Sequence, residues 1–310
     1  MTEVKSTDRN EGVRVQLADT TEPLAQKSSL GRAITYEWLG AVPLDRLNIA
    51  AVPSTLFISP DVLAAADDVW NDETRGSRHD GAQLRFQGVR EARDGSGIVV
   101  LVSPTSYRLH NVLRNDDFYT SRGLSIPGNR MDYPNPLTIN TVQVTTDGKI
   151  LLGAKNSTIS DQCDIGLLGA GFVGRKRKDL DGKAHPCLPN SIIDVVNNEV
   201  VSETNHGSEY PFDIRDAVAI AVINGSNHDT TITVYLPLRV HSSSITLGNN
   251  EHQELILVDD SRDAIMKLIQ GGGLADHAIG SLEAYLIAQE KGLIQQRDRD
   301  CWRTAYLPGI

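Results

Sequence analysis

Strand signals in this chain come in pairs, and that pairing constrains the fold more than any other feature. Apolar and polar residues alternate from Gln83 to Val102 around Asp94-Gly95, and paired β-rich runs flank Asp147-Gly148 between Leu137 and Lys155 and a turn between Asn224 and Asp229 from Ala217 to Val240. Two β-rich runs joined by Gly, Asp or Asn predict a hairpin. Helical periods stand between and after these pairs. Pro60 to Asn71 carries Val62, Leu63, Ala66, Val69 and Trp70 at helical spacing, Pro189 to Asn205 repeats the pattern, and Asp260 to Ile269 and Leu274 to Gly292 read as two C-terminal helices. The order is not a regular βαβ alternation, so the predicted class is α+β.

Length sets the organisation. The 310 residues suffice for one large domain or two small ones. Residues 1–30, polar and without a sustained period, are expected to form a flexible arm; 31–130 an N-terminal α/β subdomain; and 131–310 the main domain, the boundary falling in the Pro- and Gly-rich stretch from Leu113 to Pro136. Acidic residues outnumber basic ones, 40 to 30, and a net charge of −10 argues against a cationic nucleic-acid binder. The longest apolar runs are well short of the roughly 20 residues of a membrane helix, and MTEVKSTDRNEG has no apolar core of a signal peptide. These features predict a cytoplasmic protein with neither nucleic acid nor membrane as partner. Cys163, Cys187 and Cys301 lack a CxxC spacing and are expected to be reduced thiols. His185 and Cys187 have no second pair to complete a zinc site.

Function is carried by the Pro189 to Asn205 segment. At about 100° per residue, Leu188, Ile192, Val195, Val196 and Val200 share one stripe, and Glu199 and Glu203 project from the same stripe. Two carboxylates four residues apart repel, and taking them out of water costs several kcal/mol each unless a positive charge compensates. A hard cation such as Mg²⁺ takes oxygen ligands of this kind. In the alternative reading the helix lies at a rim and Lys155 or Arg215 pairs with the acids.

Taken together, DGKILLGAKNS, GLLGAGFV and NNEVVSETN resemble the strand, Gly-rich turn and catalytic helix of the Nudix hydrolases, whose box runs G-x5-E-x7-R-E-U-x-E-E-x-G-U. The segment SPTSYRLHNVLRND, the insert GRKRKDLDGKAHPC and the Asn after the last box acid are similar to the branch that hydrolyses UDP-sugars. The resemblance runs from about Gln83 onward. It implies a Nudix fold, a mixed sheet sandwiched between helices, with an N-terminal α/β extension. It also implies Mg²⁺ (or Mn²⁺) held by Glu199 and Glu203, and hydrolysis of a small-molecule diphosphate by water. Ser202 stands where the family has a further acid, Asn198 where it has Arg, and the stretch after the glycines carries only bases. Glu251 or Glu254, in NNEHQE, would supply the missing ligand or the base that activates water.

Holding a diphosphate also requires cations. Arg108 in TSYR and Lys155 at a strand end are the candidates, Arg through a bidentate clasp and Lys as a point charge. The run Arg175 to Lys178 would steer an anionic substrate or simply be solvated. The missing box residues leave a second function open: a Nudix-fold protein that has lost hydrolysis and acts as a ligand-binding module or a metal-independent enzyme.

Overall fold

A computed structural model describes residues 26–27, 34–54, 56–74, 80–156, 165–173, 175–178, 184–187, 192–205, 212–226, 228–249 and 251–294. Most of the expected arm (1–30), Cys163, Cys301 and Leu188 to Ser191 lie outside the described residues, as do the side chains of Arg175 to Lys178, His185 and Cys187.

Each of the three predicted hairpins becomes an antiparallel pair, although one of them barely pairs. Strands β1 (Gln26–Lys27), β2 (Thr35–Pro43) and β3 (Leu47–Ala51) precede helix α1 (Pro60–Thr74), which starts at the expected proline. The first hairpin is β4 (Ala82–Glu91) with β5 (Ile98–Ser106), and its turn places Gly95 at φ +67°, a conformation that favours glycine. Strand β3 lies parallel to β5, giving a three-stranded sheet, and α2 (Tyr107–Leu113) and α3 (Asp116–Thr120) follow. In the second hairpin β6 (Leu137–Val144) and β7 (Lys149–Lys155) pair only at Val144 and Ile150. Beyond that point they diverge, and two short strands fill the opening, β8 (Ile165–Leu167) against β7 and β9 (Gly171–Phe172) against β6.

The remainder completes the sheet and its covering. A small hairpin, β10 (Arg175–Lys178) with β11 (Ala184–Cys187), leads to α4 (Ile192–Glu203) and β12 (Thr204–Asn205). Strands β13 (Val218–Asn224) and β14 (Thr230–Pro237) form the third hairpin; β15 (Thr246–Leu247) pairs with β12; and β16 (His252–Asp259) is followed by α5 (Arg262–Gly271) and α6 (Asp276–Glu290). The large sheet runs β1-β2-β13-β14-β6-β7-β16. Its β14–β6 pair is parallel, from Thr230 opposite Leu137 to Pro237 opposite Val144, and the pairs around it are antiparallel, so the sheet is mixed.

Alternation along β6 explains the layers. Leu137 and Ile139 face one way and pack with Val195, Val196 and Val200 of α4, while Val142 and Val144 face the other way and pack with Ile265, Ile269, Ala278, Ile279 and Leu282 of α5 and α6. Each such Val, Leu or Ile contributes on the order of 1.5–3 kcal/mol by leaving water. The mixed sheet is thus covered by α4 on one face and by α5 and α6 on the other.

Long-range packing ties these segments together. Within the expected subdomain 31–130, β2 joins the large sheet beside β13, and Leu84, Phe86, Val100 and Val102 of the small sheet share a core with α4. Such non-local pairings leave no periodic signal. The stretch from Leu113 to Pro136, where the sequence placed the boundary, is packed: Phe118, Tyr119 and Tyr133 are buried against α1 and α2, and the fully buried Arg85 donates from Nε to Tyr133 O and from its terminal nitrogen to Met131 O. Within NNEHQE, β16 begins at His252, directly after Glu251. Among the described residues, no helix is long and apolar enough to cross a membrane.

Candidate metal centre

Helix α4 places two of its acids, Glu199 and Glu203, toward the end that suits them least. Its last turn carries the negative end of the helix dipole, which disfavours carboxylates, yet Glu199 is half-buried there and Glu203 is 1% exposed. Both lie over the opening between β6 and β7, where the Gly-rich turn from β8 to β9 passes beneath them. That turn is fixed from the sheet side: Thr141 Oγ1 donates to Leu168 O at 2.7 Å and Gln143 Nε2 to the same oxygen at 2.9 Å.

Three glycines make the room. Gly169 adopts φ +72°, and a Cβ there would stand 2.4 Å from Thr141 Oγ1; a Cβ on Gly171 would lie 2.4–2.5 Å from the Glu199 carboxylate; one on Gly153 would lie 2.5 Å from His252 Nδ1. No side chain fits at these points without displacing a group of the cluster or its support. GLLGAG is therefore the floor of a cradle for carboxylates.

Glu203 is held in place. Its Oε2 accepts Gly169 N–H at 2.7 Å and lies 3.3 Å from His252 Nε2. Glu251 precedes β16, its carbonyl taken by Asn156 N at 2.9 Å and its own N–H donated to Asn249 Oδ1. Ligand atoms of Glu203, Glu251 and His252 all fall within 4.8 Å of one another. Glu199 flanks this trio: burial first, then the charges of Glu203 and Glu251, push its carboxyl up to about 7. Among the described residues the only ionic partner of these three acids is His252. The alternative pairing fails for Arg215, which is bound to Asp213.

The grouping differs from the sequence reading in its partners. Glu199 and Glu203 were expected to be the ligand pair, whereas Glu203 converges with Glu251, from a segment 48 positions later, and Glu199 stands beside them. Glu254 is exposed, on β16 opposite Ala154 and past a bulge in the pairing, and takes no part in the trio. Lys155 lies opposite His252 in the β7–β16 register, so its backbone borders the centre. Arg108 instead ties α2 to α1, its guanidinium on Asp67 and Asp80 and its N–H on Asp80 Oδ1. Its neighbour Tyr107 does approach the cradle, meeting the Phe172 ring edge-on at 6.1 Å. Sequence reasoning missed His252. The signal available was its place beside Glu251 at the start of the alternating run HQELILVD.

Carboxylates gathered in a half-dry pocket without a Lys or Arg among their described partners form a donor set suited to a divalent cation, with oxygen ligands for Mg²⁺ or Mn²⁺ and an imidazole at its margin. No protein-family model matches the chain, and no curated protein matches it.

Proposed function

We propose that this chain is a Nudix-like hydrolase that cleaves a nucleoside diphosphate-linked small molecule, of the UDP-sugar kind, with Mg²⁺ or Mn²⁺. The observation that carries the reading is the convergence of Glu199, Glu203 and Glu251 over a glycine cradle with no Lys or Arg among their described partners. The sheet covered on both faces by helices and the Gly-rich turn under α4 agree with the resemblance noted in the sequence. Glu203 and Glu251 would hold the cation. When bound, it neutralises the diphosphate and stabilises charge on the leaving phosphate. Glu203 is fixed by Gly169 N–H, which keeps one oxygen oriented before substrate arrives. Glu199, flanking the pair, is placed to accept the proton of the attacking water. Lys155, bordering the centre at the end of β7, offers a point charge for a phosphate oxygen.

The test is release of UMP and sugar phosphate from UDP-glucose, with Mg²⁺ and with EDTA. Metal-dependent turnover lost in Glu203→Gln supports the reading; turnover indifferent to both EDTA and Glu203→Gln overturns it. A second reading, a ligand-binding module without hydrolysis, is favoured by one observation. At Ser202, where the family has an acid, an exposed hydroxyl donates to Glu199 O at 3.0 Å and offers no carboxylate. Binding of UDP-glucose without turnover would select it.

A further inference from the structure

We infer that His252 is a positioning residue: its Nε2–H locks one oxygen of Glu203 so that the other faces the cation, and it is not itself a ligand. The inference rests on the cation reading above and adds to it the device that orients the buried acid. His252 and Glu203 side chains are each 2% exposed, with Nε2 and Oε2 3.3 Å apart. The same Oε2 accepts Gly169 N–H at 2.7 Å. With Nε2 as the donor, Oε2 accepts two N–H groups, which leaves Oε1 as the oxygen free to coordinate.

The position of the ring proton follows from the other nitrogen. Among the described residues, the buried His252 Nδ1 has no hydrogen-bond partner. A metal-bound imidazole carries its proton on the far nitrogen, and that N–H normally finds a carboxylate, carbonyl or water. Here such a proton would be a buried donor without an acceptor, which costs more than leaving a lone pair unpaired beside Gly153. With the proton on Nε2, the ring is a donor to Glu203. Gly153 belongs to the same device: a Cβ there would lie 2.5 Å from Nδ1 and 2.6 Å from Cγ of His252, pushing the ring off its register.

Mn²⁺ binding to the full chain, measured by electron paramagnetic resonance of the free ion, tests the assignment in wild type, His252→Gln, His252→Leu and Gly153→Ala, with thermal denaturation in the absence of metal as the control for folding. Gln places an amide N–H at a reach similar to Nε2, so His252→Gln should bind within about 3-fold of wild type. His252→Leu and Gly153→Ala should bind about 10- to 100-fold more weakly, the range for groups that orient a ligand. Should the Leu variant fail to fold, the Gln and Gly153→Ala proteins carry the test. Gln and Leu variants weakened alike would overturn the donor role and make the ring a ligand or a packing element. Undiminished binding in folded His252→Leu or Gly153→Ala would overturn the positioning role and leave the cation reading standing. No Mn²⁺ binding by wild type would overturn the cation reading, and this inference with it.

Discussion

Glu203 at the end of α4 and His252 at the start of β16, 49 residues apart in sequence, meet at 3.3 Å inside the protein. The contact joins the helix on one face of the large sheet to the strand at its edge. It exists only because β6 and β7 part after a single residue pair and leave an opening for the glycine turn between them.

Replacing Glu203 by Gln removes a charge and keeps the shape and an acceptor for Gly169 N–H. Hydrolysis of UDP-glucose should fall on the order of 10²–10³-fold, about 3–4 kcal/mol of barrier. The melting temperature without metal should stay within a few degrees of wild type. Steady-state turnover and a thermal scan of the same preparation check both halves.

Glu199→Gln should separate chemistry from cation binding. Because Glu199 flanks the trio of Glu203, Glu251 and His252, its loss should reduce turnover about 10²-fold or more, as expected for a general base. Mn²⁺ affinity should change by less than about 5-fold. An equal loss of both would return Glu199 to the ligand set.

The two glycines of the turn should respond differently to Ala. At Gly169, φ +72° and a Cβ 2.4 Å from Thr141 Oγ1 add strain in the core, costing about 1–3 kcal/mol or more. At Gly171 the three atoms nearest the new Cβ all belong to the Glu199 carboxylate, at 2.4–2.5 Å. Gly169→Ala should therefore melt several degrees lower, whereas Gly171→Ala should keep its melting temperature and lose turnover.

Acidification should destabilise the protein through His110, far from the carboxylates in sequence. Burial first, with Arg114 and His228 adding to it against the opposing pull of Asp229, lowers its pKa from 6.5 to about 4. Between these values the unfolded chain binds a proton that the folded protein refuses, so stability falls as pH drops from 6.5 to 4, by up to about 1.4 kcal/mol per pH unit from this group. Denaturant unfolding of wild type and His110→Gln at pH 7 and pH 5 should show a smaller acid loss in the variant.

What the sequence determined by itself was local. Helical spacing marked α1, α4, α5 and α6, with α1 starting at Pro60, and the Asp-Gly turns marked the hairpins, because the periods 3.6 and 2 are written into the order of apolar residues. The same spacing turned Glu203 inward, and burial confirms it at 1% exposed. Tertiary structure alone decided which groups meet Glu203. Glu251 and His252 arrive from another strand, β2 enters the large sheet from the N-terminal segment, and β14 pairs in parallel with β6. Arg108, which the sequence offered for a phosphate, was claimed by Asp67 and Asp80. Such partnerships depend on distances between residues far apart in the chain, set by how the layers pack, and no local period encodes them.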